Sequence, residues 1–194
     1  MTRGRRLAGV FVGAACFGLL MAAIKGQGAG ARDAFGNLSA PWLLLSFIAG
    51  ACVARVRLAA LIGLGAALTA LAAFYAGESV ILDLGRHPWL TDLSLAVRAG
   101  RFYFIEALFS GPIFGALGAV WAKRRSPLVA ASVALLFAFE PLTVWADQQR
   151  IGGRVGSGEL THYRWMWMSE VLIGVTAAVL IAVPTLRRLE RRQN

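Results

Sequence analysis

Three carboxylates fall inside long apolar runs of this chain: Glu106, Glu140 and Glu170. A charge at membrane depth is costly unless it faces a bundle interior, a water-filled pocket or a charged partner, so acids placed there mark binding or proton chemistry. Helical spacing extends them into polar stripes. Tyr103, Glu106 and Ser110 stand at i, i+3 and i+7, Glu140, Thr143 and Asp147 repeat that spacing, and Tyr75 and Glu78 lie three apart. Counted from the outer ends of their runs, the three glutamates sit roughly 5 to 9 Å deep at about 1.5 Å per residue. One reading gathers them in an outward-opening polar cavity, with Glu106, Glu140 and Glu170 as anchors and Tyr103, Thr143, Asp147 and Arg101 as further ligand contacts. The plainer reading pairs the acids with Arg101, Arg164 or Lys25 to tie helices together.

Two prolines stand beside these acids. Pro141 deprives the Phe137 carbonyl of its helical partner, and Pro112 does the same to Leu108; in a membrane such groups need protein, water or ligand to satisfy them. Interrupted helices next to ionisable groups are a pattern of transporter binding sites.

The elements that must position these residues follow from composition. Of 194 residues, 58% are hydrophobic and only 15% charged, too apolar for an ordinary soluble domain. The net charge of +10 would suit a nucleic-acid binder, but the basic residues stand singly or in short clusters between apolar stretches, as topology signals do. The expected fold is therefore all-α: a single polytopic membrane domain over residues 1–194, with six transmembrane helices. The spans run roughly 7–24, 38–54, 58–77, 102–122, 127–146 and 167–186, each set against a hydrocarbon core of about 30 Å. For the short second span, Asn37 and Ser39 offer cap groups and Pro41 suits a first turn. The first span also resembles a signal peptide, TRGRRL before an apolar core and AGA at 29–31; its length and the even count of six favour a span.

Charge placement orients the bundle. Arg3, Arg5 and Arg6, Arg55 and Arg57, Lys123, Arg124 and Arg125, and Arg187, Arg188, Arg191 and Arg192 collect on one side with Glu190 as the only acid. The basic residues of the other side share their segments with Asp33, Glu78, Asp83, Asp92, Asp147 and Glu159. Both termini are expected in the cytoplasm and the protein in the bacterial inner membrane. Trp42, Trp145, Trp165 and Trp167 at outer ends and Trp121 at an inner end fit an aromatic belt.

Two outer connections are long. HPWLTDLSLAVRAG sets Trp89, Leu90, Leu93 and Val97 opposite Thr91, Asp92, Ser94 and Arg98, predicting a short interfacial helix over 88–99. DQQRIGGRVGSGELTHYR, residues 147–164, is glycine-rich and polar, a connector or a lid. Small residues four apart, Gly9 and Gly13, Ala14 and Gly18, Ala59 and Gly63, Gly111 and Gly115, let helices approach closely, within the bundle or at a partner membrane subunit.

Motifs of common chemistry are missing: no GxxxxGK[ST], HExxH, CxxC or GxSxG occurs, and Cys16 and Cys52 both fall within spans as small hydrophobes. No catalytic residue, metal site or cofactor is assigned, and no nucleic acid is expected.

GQ at 26–27, NLSAPWLLLSFIAGA at 37–51, FYAGE at 74–78, GPIFGALGAVW at 111–121 and glutamates in the last two spans together resemble a family of small actinobacterial integral membrane proteins of unknown function. That resemblance implies a six-span inner-membrane protein and supplies no substrate or catalytic residue. Size and span number also resemble the substrate-binding components of energy-coupling vitamin transporters, an analogy without a shared ligand motif. Three functions follow: binding or transport of a small polar or cationic molecule, an accessory role in which the acids only tie helices, and a lipid-modifying enzyme using paired carboxylates.

Overall fold

Apolar runs in a bilayer become helices because a helix satisfies its own backbone N–H and C=O groups without water. The computed structural model describes residues 3–25, 32, 36, 38–81, 88–150 and 164–193, the side chains at 3, 140–150, 164 and 184–193 excepted. The helices are α1 (Arg3–Lys25), α2 (Ser39–Ala51), α3 (Val56–Ile81), α4 (Trp89–Ala99), α5 (Arg101–Arg124), α6 (Pro127–Arg150) and α7 (Arg164–Gln193). Among the described residues there is no strand.

Among the described residues four helices are long and apolar enough to cross a membrane: α1 over Gly4–Lys25, α3, α5, and α7 over Trp165–Val183. The expected second span is a shorter element. At 13 residues, α2 is about 20 Å long, against a hydrocarbon core of about 30 Å. It starts at Leu38, which makes no side-chain cap bond, and it ends where the Cys52 amide donates to the Ala49 carbonyl and the Val53 amide to the Gly50 carbonyl. Pro41 is accommodated because a first-turn N–H has no helical partner to lose. The described apolar part of α6, Pro127–Phe139, is likewise short, although the helix runs on through position 141 to Arg150.

The chain divides into two compact units, Met1–Lys123 and Arg124–Asn194, where the sequence is read as one domain. In the first, α3 is central and packs against α1, α2 and α4. Its contact face is made of small residues: Ala59, Ala66 and Ala70 are fully buried. Gly18 of α1 lies against the Ala70 backbone, and α5 meets α3 where Gly111 and Gly115 face Gly63; a Cβ built on Gly63 would lie 2.7 Å from the Gly115 Cα. Gly115 also backs onto Gly50 of α2, and Gly118 onto the Phe47 carbonyl. Three of the four small-residue pairs therefore serve packing within this unit. The fourth does not: side chains added at Gly9 or Gly13 would meet nothing within 4 Å.

In the second unit α6 and α7 pack as a pair. At Gly174 the two backbones come close, a Cβ built there lying 2.7 Å from the Ala138 amide nitrogen and 2.8 Å from the Ala134 carbonyl oxygen. In both units large apolar side chains point outward, Phe102, Phe109 and Ile113 on α5 and Met168, Leu172 and Leu180 on α7 being more than half exposed. Such faces suit hydrocarbon rather than water.

The helix expected over 88–99 forms as α4. Its apolar residues divide: Leu93 and Ala96 pack against the Tyr75 and Phe104 cluster, whereas Trp89, Leu90 and Leu95 are exposed. The glycine-rich connection lies largely, at 151–163, outside the described residues.

Candidate functional site

The first unit encloses an open cavity of about 440 Å³ to which all five of its helices contribute. The stripe of α5 faces it, Tyr103, Glu106 and Ser110 all lining the wall, as spacing at i, i+3 and i+7 requires of one helix face. From α3 come Leu71, Phe74, Tyr75 and Glu78; from α2, Ser39, Trp42, Leu43 and Ser46. Lys25 stands at the end of α1, while Ala96 and Ala99 of α4 and Gly100 just after it also line the cavity.

An ion pair spans the cavity wall. Lys25 Nζ donates to Glu78 Oε1 at 2.7 Å, joining the C-terminus of α1 to the last turn of α3, with side chains 21% and 10% exposed. The ammonium also lies 5.4 Å from the Phe74 ring centroid, within cation–π range. The end of α1 is tied down further by Arg32, whose guanidinium donates to the Ala23 and Ile24 carbonyls, last-turn acceptors with no helical partner.

Behind the pair runs a chain of aromatic contacts. Phe17 meets Trp42 edge to face at 5.2 Å, Trp42 meets Phe74 at 5.5 Å, Phe74 meets Tyr75 at 5.1 Å, and Tyr75 stacks on Phe104 at 5.5 Å. Trp42, read from sequence as a belt residue, is half-buried and lines the cavity. Ser110 Oγ donates to the Glu106 carbonyl at 2.8 Å, which uses the one O–H donor of that hydroxyl. The site combines apolar walls with a few converging polar groups, the usual make-up of a small-molecule pocket in its common size range of about 300 to 1,000 Å³.

The remaining residues singled out from sequence fall elsewhere. Arg101 is exposed, its guanidinium 5.4 Å from the Phe102 ring, and is not part of the cavity lining. Glu170 is buried in α7 of the second unit, 7% exposed. Glu140, Thr143 and Asp147 belong to α6 in that unit, with side chains outside the described residues. Of the tying partners considered, Lys25 is engaged, but with Glu78 rather than with one of the three intramembrane acids. Trp167, expected in the belt, is 7% exposed, while Trp165 is 62% exposed.

Sequence reasoning left Lys25 and Glu78 out of the ligand set by assigning both to outer segments. Tyr75 and Glu78, three apart, were the available signal. Ser39, Leu43 and Ser46, at i, i+4 and i+7, were another, since they share one face of α2. Among the described residues no three His, Cys, Asp or Glu side chains gather as metal ligands.

Long apolar helices and outward-facing large hydrophobics fit a helical membrane protein. Comparison with protein-family models, with curated proteins and with solved structures finds no match.

Proposed function

We propose that this is a multi-pass inner-membrane protein that binds or transports a small polar or cationic molecule in the cavity of its first unit. The observation that carries the reading is the cavity itself: about 440 Å³, lined both by Tyr103, Glu106 and Ser110 of one helix face and by the Lys25–Glu78 pair. Acidic and hydroxyl groups at membrane depth cost free energy that a bound ligand would offset. In this proposal Tyr103 and Glu106 contact the ligand. Glu140, Thr143, Asp147 and Glu170 belong to the second unit.

The proposed topology has six crossings, both termini cytoplasmic, with α2 as the short crossing set among longer helices. Its support is the basic clusters at Arg3–Arg6, Arg55–Arg57, Lys123–Arg125 and Arg187–Arg192. A bilayer accommodates one short helix at modest cost.

Native mass spectrometry of the full chain, purified in mild detergent, tests the binding reading. The expected result is a co-purifying small molecule that is retained at lower occupancy by Glu106→Gln. A spectrum of bare protein, together with no thermal stabilisation across a metabolite panel, would retire the reading.

One observation favours a second reading, an accessory protein whose charges tie helices. The Lys25–Glu78 pair joins α1 to α3, and on this view Glu78→Gln lowers the melting temperature while no ligand is found.

A further inference from the structure

This inference rests on the binding reading above and concerns the closed end of the cavity. There α2, α3 and α5 converge on glycines, a Cβ built on Gly50 running into the Gly115 backbone and one built on Gly63 lying 2.7 Å from the Gly115 Cα. Backbones in contact leave no space between helices, and among the described residues none beyond this seam lines the cavity. Ser46 stands one turn before Gly50, Ala67 one turn beyond Gly63, and Ser110 directly before Gly111, and all three line the wall. They mark the closed end. Glu78, at the other end, is eleven residues from Ala67 along α3, about 16 Å at the helical rise.

Helix serines commonly donate their hydroxyl proton to a carbonyl three or four residues back. Ser79, Ser94, Ser110, Ser132 and Ser169 all do so, at 2.7 to 2.9 Å. Ser46 is the exception: it is 2% exposed, yet among the described residues its hydroxyl has no hydrogen-bond partner. A buried hydroxyl without an acceptor costs free energy. Ser110 has spent its one donor on the Glu106 carbonyl, so of the two serines at the closed end only Ser46 has an O–H to offer.

We infer that Ser46 selects the ligand, its O–H donating to a carbonyl oxygen at the inward end of an apolar body. A carbonyl accepts that bond without adding a donor of its own. The wall within a turn of Ser46 and Ala67 is hydrocarbon, with Leu43, Leu71 and Ala107, so a charged or heavily hydroxylated inward end would lose water without gaining partners. Selection at this end is by the acceptor and not by net charge.

Benzophenone and 1,1-diphenylethylene share one shape and differ in C=O against C=CH2. Binding of each to the full chain is measured by equilibrium dialysis against protein-free micelles of the same detergent, which cancels partition into the micelle. Benzophenone is expected to bind about 5-fold more tightly than the alkene, as one neutral hydrogen bond in a buried site allows. In Ser46→Ala the preference falls to unity while the alkene binds as in wild type. Ligand-free Ser46→Ala is expected to melt no lower than wild type, because alanine favours the helix and the hydroxyl it removes bonds nothing. A melting temperature lowered by several degrees would show that hydroxyl bonded within the protein and overturn the inference. Equal binding of the two compounds to wild type would overturn the acceptor and leave the cavity a binding site, while a preference surviving in Ser46→Ala would overturn the role of Ser46. If neither compound binds, the molecule that co-purifies in native mass spectrometry decides. Unchanged occupancy in Ser46→Ala overturns the inference, lower occupancy supports it, and a blank wild-type spectrum removes the binding reading with it.

Discussion

Lys25 and Glu78, 53 residues apart in the chain, meet at 2.7 Å and tie the end of α1 to the last turn of α3. Each is only partly exposed, so removing one partner leaves the other half-desolvated with its charge uncompensated. Lys25→Met and Glu78→Gln are each expected to cost about 1 to 3 kcal/mol. The double variant should cost less than the sum of the singles. Unfolding in a mixed-micelle denaturant titration, arranged as a double-mutant cycle, measures the coupling; additive losses would show that the pair is not coupled.

The glycine seam of the first unit predicts a contrast. At Gly115 a methyl group would run into the Ala59 carbonyl and lie 3.0 Å from the Gly63 Cα, while at Gly9 it would meet nothing within 4 Å. Gly115→Ala should therefore destabilise by about 1 to 3 kcal/mol through forced helix separation. Gly9→Ala should stay within about 0.5 kcal/mol of wild type. Melting temperatures of the two variants in one detergent check this.

Gly100 occupies the single position between α4 and α5, and a Cβ there would collide with the Tyr75 hydroxyl and ring. The side chain it would meet is large enough to be trimmed. Gly100→Ala should lower the melting temperature and weaken any cavity ligand, because α4 and Tyr75 cannot both keep their places. Combining it with Tyr75→Leu should recover part of the stability, which a clash elsewhere would not allow.

Gly174 plays the corresponding part in the second unit, facing the Ala134 carbonyl, the Ala138 amide and the Phe137 Cβ. Replacement by valine should separate α6 from α7. Crosslinking yield between cysteines placed on the two helices, Ala134→Cys with Val171→Cys for example, should fall in Gly174→Val, and an unchanged yield would count against this packing.

Topology is testable with the same chemistry. In a background lacking the two free cysteines, Cys16→Ala with Cys52→Ala, Ser94→Cys on α4 should react with a membrane-impermeant maleimide in intact spheroplasts. Ser126→Cys, between α5 and α6, should react only after permeabilisation. The reverse pattern would invert the proposed orientation.

Helix positions were legible from sequence because hydrophobic runs and helical spacing are local properties. The stripe Tyr103, Glu106 and Ser110 shares a cavity wall as its spacing implied, and the pairs Ala59/Gly63 and Gly111/Gly115 are helix contacts as their spacing implied. Which pair meets which was not legible, since the seam of α3 against α5 depends on helix order, and helix order is a long-range property.

By itself the amino-acid sequence determined an apolar helical chain, the approximate extents of its helices, and the faces on which its polar residues lie. Each of these follows from the 3.6-residue period and from the cost of leaving polar backbone groups in hydrocarbon. Tertiary structure alone decided that Lys25 answers Glu78, that Trp42 packs between Phe17 and Phe74, and that Gly9 and Gly13 face outward while the other small pairs face inward. These are contacts between helices, and spacing within one helix carries no information about which neighbour its face will find.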